Sequence, residues 1–101
     1  MSFAYTKNVE ILGKPVVARQ LAAGASSANT TLSSGVLRIS MRAVGADIRF
    51  SIGATAQTAN ATTSHFIADG ERLDFAVASA SNIAVIRDAT TDGVLEVTEL
   101  D

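Results

Sequence analysis

The runs VLRISMRA and DIRFSIG, separated only by Val44-Gly45-Ala46, alternate apolar and polar side chains with a period of two. A strand sends successive side chains to opposite faces, whereas a helix mixes them at that spacing, so this pattern limits the fold more than any other feature. In the first run Leu37, Ile39, Met41 and Ala43 share one face, and Arg38, Ser40 and Arg42 the other. In the second, Ile48, Phe50 and Ile52 oppose Asp47, Arg49 and Ser51. The short link between them predicts a hairpin. Such a hairpin brings Arg38, Arg42 and Arg49 to one face of one sheet.

The same signal recurs along the chain. Leu73, Phe75 and Val77 alternate with Arg72, Asp74 and Ala76 after an Asp69-Gly70 pair suited to a tight turn with positive φ. NIAVIR reads as a nearly continuous apolar, central strand, and Thr91-Asp92-Gly93 turns the chain into VLEVTEL. PVVARQLA supplies an earlier strand, and ANTTLSS either an edge strand or a loop. Phe3, Tyr5, Val9 and Ile11 share odd positions, so residues 1–14 form either a further strand or an N-terminal arm. Seven or eight short strands with regular turn signals predict one all-β domain over residues 1–101, an antiparallel β-sandwich for which the jelly roll is one topology.

The interior must be built from small and β-branched side chains, because 18 of the apolar residues are alanine and aromatics make up only 5%. Such a core is thin, and association with other copies would support it. The absence of cysteine excludes disulfides, thiolate nucleophiles and cysteine metal sites. No run reaches the roughly 18 to 20 apolar residues of a membrane span, and MSFAYTKNVE lacks the order of a secretory signal; a soluble protein made in the cytoplasm is expected. Charge is distributed unevenly: residues 1–68 carry six bases and two acids, residues 69–101 two bases and eight acids. Either the halves interleave in one fold, or opposite patches steer copies together head to tail. No basic cluster dense enough for a nucleic-acid surface occurs.

Catalytic chemistry finds little to use. Any triad must employ His65, the one histidine, and Ser64 beside it points to the opposite face of a strand. Metal ligands would have to be carboxylates, and DATTDG, with Asp88 and Asp92, lacks the alternating acids of a calcium loop. Glu71, Asp74, Glu96 and Glu99 read as outward residues that keep strand edges soluble. No glycine spacing matches a phosphate cradle. The expectation is a non-enzymatic protein without catalytic residues, cofactor or metal.

Two features point to binding instead. Arg38, Arg42 and Arg49 form either a solvated stripe paired with local acids or an intersubunit contact, with the acidic tail EVTELD of a neighbour as partner. GATAQTANATTSH, without a large apolar side chain, suits an extended connection packed closely against protein, its own or a neighbour's.

The order DIRFSIG, a small-residue stretch, SHFIADGERLDFAV, SNIAVIRD and DGVLEVTEL resembles small structural proteins of tailed-bacteriophage virions, over roughly the last half of the chain. The resemblance implies a β-sandwich that decorates or cements capsids, or sits at head-tail or tail positions, binding the major capsid protein or other virion proteins as a homo-oligomer, commonly a trimer. It also implies localisation in the virion, with the capsid surface first. Phe3 and Tyr5 are then candidates for a reaching contact, or else they cap the protein's own sandwich. The alternative is a carbohydrate- or receptor-binding module of a phage tail, which calls for aromatics in loops; Phe50 and Phe75 lie within strands.

Overall fold

The computed structural model describes residues 13–101, so the expectations placed on Phe3, Tyr5, Val9 and Ile11 lie outside the described residues. Eight strands follow in order: β1 (Pro15–Ala23), β2 (Ala28–Thr31), β3 (Arg38–Val44), β4 (Ile48–Gly53), β5 (His65–Ile67), β6 (Arg72–Ala76), β7 (Asn82–Arg87) and β8 (Gly93–Leu100). Each alternating run is one of these strands. ANTTLSS contributes the edge strand β2, and NIAVIR is the central strand β7.

β1 pairs with β8, β2 with β7, β3 with β6 and β4 with β5, all antiparallel. The chain is therefore one long antiparallel ribbon folded about the β4–β5 connection. It is rolled so that β3 also meets β8, and β4 meets β7. Two four-stranded sheets result, sheet A in the order β1-β8-β3-β6 and sheet B in the order β2-β7-β4-β5. This is a jelly roll.

The expected hairpin between β3 and β4 does not form. β3 lies in sheet A and β4 in sheet B, so the link through Gly45, at φ 91°, carries the chain across the sandwich instead of back along its own sheet. Alternation reports which face of a strand is apolar, and both strands satisfy it by burying their apolar faces from opposite sides of one core. Asp69-Gly70 does turn as expected, with Gly70 at φ 83°.

Ile39, Met41, Leu95 and Val97 from sheet A meet Ile48, Phe50, Ile67 and Ile83 from sheet B, all at 2% exposure or less. Each such side chain contributes about 1.5–3 kcal/mol relative to leaving it in water.

The small-residue stretch covers the outer face of sheet B. On β7, Asn82 and Ala84 stand opposite Gly53 and Ser51 and so point away from the core, yet Ala84 is fully buried. Gln57 N–H donates to Asn29 Oδ1 (2.9 Å) and Ala59 N–H to Ser27 Oγ (2.8 Å). Ser51 Oγ donates to Gln57 Oε1 (2.9 Å), and Asn82 Nδ2 to the Ala54 carbonyl (3.2 Å). Alanine and threonine let this backbone approach the sheet closely enough to bury Ala59 as well. Ala84→Leu is therefore expected to lower stability by about 1–3 kcal/mol through overpacking, measured by urea unfolding. An unchanged midpoint would mean that the loop does not hold that face.

The acids concentrate at one end of the sandwich. Asp47, Asp69, Glu71, Asp88 and Asp92 all occupy links at the end where β3 passes to β4, β5 to β6 and β7 to β8. Several of them brace turns: Asp69 Oδ1 accepts Gly45 N–H (2.9 Å), Asp47 Oδ1 accepts Asp69 N–H (2.8 Å), and Glu71 Oε1 accepts Ala68 N–H (2.9 Å). Arg49 and Arg87 pair with Asp88 and Asp92 at this same end, so the two charge blocks of the sequence interleave in the fold.

Candidate binding surfaces

Sheet A, unlike sheet B, has no loop of the described chain lying over its outer face. Strand register sets the pattern there: Gln20, Glu96, Arg42 and Arg72 form one row across the four strands, and Ala18, Thr98, Ser40 and Asp74 the next. Short side chains fill the middle of this face, and Val16 and Val44 remain 47% and 39% exposed near its margins. Arg42 stands directly opposite Arg72, a like-charge pair that costs energy unless an anion is near, and Glu96 is the register partner of Arg42 on its other side. Arg72 leans to Ser40 Oγ (2.9 Å), while Arg42 makes no ion pair with any described residue.

Of the expected arginine stripe, Arg38 and Arg42 lie on this face, and Arg38 donates to the Asp101 carbonyl (3.1 Å). Arg49 does not join them, because β4 belongs to the other sheet. Its guanidinium pairs with Asp88 (2.8 Å), donates to the Ser64 carbonyl (3.1 Å) and lies 4.9 Å from the centroid of the Phe66 ring. Arg49 therefore fastens the end of the small-residue loop to its own sheet.

Glu99 corrects a second expectation. It follows Leu95 and Val97 on the inward face of β8 and is fully buried, whereas only Glu96 of the tail is exposed beside Arg42. Its carboxylate takes the Arg19 Nε–H (2.5 Å) and a long contact from Ser33 N–H (3.4 Å), and Arg19 also donates to Ser33 Oγ (3.2 Å). Oε1 has no hydrogen-bond partner among the described residues. Burial pushes this carboxyl upward, but hydrogen bonds from Ser33 and Arg19, with the Arg19 charge, outweigh it and hold Glu99 below the ordinary carboxylate value. Because the unfolded chain binds the proton more readily, the stability that Glu99 contributes is present above the ordinary Glu range and is lost as pH falls through the lowered folded value. Urea unfolding as a function of pH is expected to show this acid loss, and Glu99→Gln should remove the part of the slope due to this group.

The third surface is a cleft of about 440 Å³ between the edges of β5 and β6, lined by Phe50, Ile52, His65, Phe66, Leu73, Phe75 and Ala76. Phe50 and His65 are register partners across β4 and β5, their rings 5.5 Å apart, and Phe75 reaches across from sheet A to 5.8 Å from Phe50. None of the described residues that line this space carries a carboxylate or hydroxyl. Ser64 Oγ accepts the Asn60 N–H (2.8 Å), so the serine beside His65 in sequence is engaged elsewhere. Among the described residues no three His, Cys, Asp or Glu side chains come together to hold a metal ion. The arrangement can bind an apolar ring; it assembles no acid–base pair. Phe50 and Phe75 do lie within strands, as the sequence predicts, but between the edge strands β5 and β6 the inward face opens to solvent.

No known family matches the sequence, and no curated protein matches it. Solved structures do match the fold. A de novo designed double-stranded β-helix aligns with 83% of this chain and 99% of its own at a TM-score of 0.57 and 14% identity. PirA aligns with 85% of this chain and 95% of its own at 0.56 and 12%. A predicted oxalate decarboxylase from Thermotoga maritima aligns with all of this chain and 76% of its own at 0.52 and 13%. At these identities the shared property is the rolled two-sheet fold, which carries many unrelated activities.

Proposed function

We propose that this protein is a non-enzymatic virion structural component, most simply a capsid decoration or cement protein that holds the phage head through contacts between its own copies and with the major capsid protein. The observation that carries this reading is the contrast between the sheets: one outer face is covered by the chain's own loop, whereas no described loop covers the other, which is small-residued and charged. In a trimer each copy presents one patch and receives another, so the contact is heterologous. The Arg42–Arg72 pair of one copy then meets the acidic end of the next, around Asp69 and Glu71. Repetition over a lattice lets modest contacts add through effective concentration. The sequence pattern from Asp47 onward supports the same reading.

A second reading, a carbohydrate- or receptor-binding module of a phage tail, is favoured by one observation, the aromatic cleft. Co-sedimentation with purified heads, set against a glycan array, separates the two. Association with heads and a blank array is expected. Glycan binding without head association would overturn the proposal, and light scattering that finds only monomer at tens of micromolar would contradict a constitutive trimer.

A further inference from the structure

Two four-stranded sheets have four edge strands, and three of these are poor templates for a further strand. β5 is three residues long, and β6 is five and carries Arg72 and Asp74. β2 is four residues long, and the small-residue loop is fastened to it at Asn29 and beside it at Ser27. β1 differs on each count. It is the longest of the eight, at nine residues, and among the described residues its backbone is hydrogen-bonded to β8 alone. Its outward side chains, Val16, Ala18, Gln20 and Ala22, carry no charge, and its one charged residue, Arg19, points inward to Glu99. Gly13, where the described chain enters β1, lies against Asp101 and Arg38, on the side of β8 and β3 and not at the outer edge.

That edge is complementary to a second copy of itself. A twofold axis that keeps both cores on the same side of the joined sheet brings together residues of equal parity, because opposite residues on neighbouring strands share a face. Centred on Arg19, such a pairing sets two like charges side by side, which is disfavoured. Centred on Ala18 it runs into the register shift between Pro15 and Val17. Centred on Leu21 it reaches Gly24, whose carbonyl already accepts Arg87 N–H (3.0 Å). Centred on Gln20 it stays within Val17 to Ala23, the part of β1 in regular register with β8. We infer that two copies associate through antiparallel β1 strands, with Gln20 opposite Gln20, Ala18 opposite Ala22 and Arg19 opposite Leu21, so that sheet A continues from one copy into the next. No two charges stand opposite one another in this register. The contact is isologous, separate from the heterologous one proposed above, and does not depend on the virion reading.

The chain has no cysteine, so one substitution in the full chain introduces the only thiol. Under copper–phenanthroline oxidation Gln20→Cys is expected to give a disulfide-linked dimer, since opposite Cα atoms stand about 4.5–5.5 Å apart, within disulfide reach. Ala18→Cys alone should run as a monomer on a denaturing gel, because its two thiols lie four residues apart along the seam, roughly 13 Å. Mixed with Ala22→Cys, it should link. Adding Arg42→Glu and Arg72→Glu to Gln20→Cys is expected to leave the yield unchanged, which separates this edge from the outer face of sheet A. Three results would each overturn the inference. The first is a Gln20→Cys protein that stays monomeric, as it would if residues 1–12 or water occupied the edge. The second is an equal yield from Gln20→Cys and from Ala18→Cys alone, and the third is loss of the link when both arginines are reversed.

Discussion

Replacing Arg19 with alanine is expected to lower the stability of the fold by about 3 kcal/mol, a large share of the roughly 5–15 kcal/mol that holds a domain together. The cost comes from Glu99 more than from the lost arginine contacts. Its carboxylate is fully buried, and among the described residues one oxygen has no partner and the Arg19 guanidinium is the only cation paired with it. Removing that cation leaves an uncompensated charge in the core. The loss falls at the low end of the range for buried pairs because the Arg19 side chain is 27% exposed, so water can partly replace it. The paired replacement Arg19→Met with Glu99→Leu removes both charges and is expected to unfold within about 1 kcal/mol of the unsubstituted protein. Urea unfolding of the three proteins checks both statements. A single variant as stable as the parent would show that the ion pair does not organise that end of the core.

Reversing both arginines, Arg42→Glu with Arg72→Glu, is expected to leave the fold within about 1 kcal/mol of the parent, since both are exposed positions on a sheet face. Association should weaken by at least about tenfold, equivalent to 1.4 kcal/mol. Two new carboxylates would then face the acidic links of the neighbouring copy, and like charges across a contact are strongly disfavoured. Salt gives the sharper reading. Screening should weaken association of the parent, whose contact is attractive, and strengthen that of the reversed protein, whose contact is repulsive. Light scattering across a salt series measures both trends. The same salt response in both proteins would remove the arginine pair from the contact.

The strands were legible in the sequence because Ile39, Met41, Ile48 and Phe50 keep strict phase with their polar neighbours. Their pairing was not, since phase is the same whether β4 returns beside β3 or crosses to the opposite sheet. Glu99 sits in phase with Leu95 and Val97, as Arg19 does with Leu21, and both inward positions could have been read from parity alone. Charge pulled the expectation outward. What sequence could not supply was the pairing of Glu99 with Arg19, 80 residues apart. The Ala/Thr stretch was correctly expected to pack against protein, and the structure identifies that protein as its own sheet B. The aromatic cleft needed three dimensions, because Phe50 and Phe75 belong to different sheets and share no local motif.

Hydroxyl-radical footprinting of the assembled protein tests most directly whether the outer face of sheet A is where copies meet. Val16 and Val44 are exposed enough in the single chain to react, so assembly is expected to slow their oxidation while Thr55 and Thr58 on the sheet B loop oxidise at an unchanged rate. Val16 and Val44 oxidising as fast in the assembly as in the free chain would contradict the account.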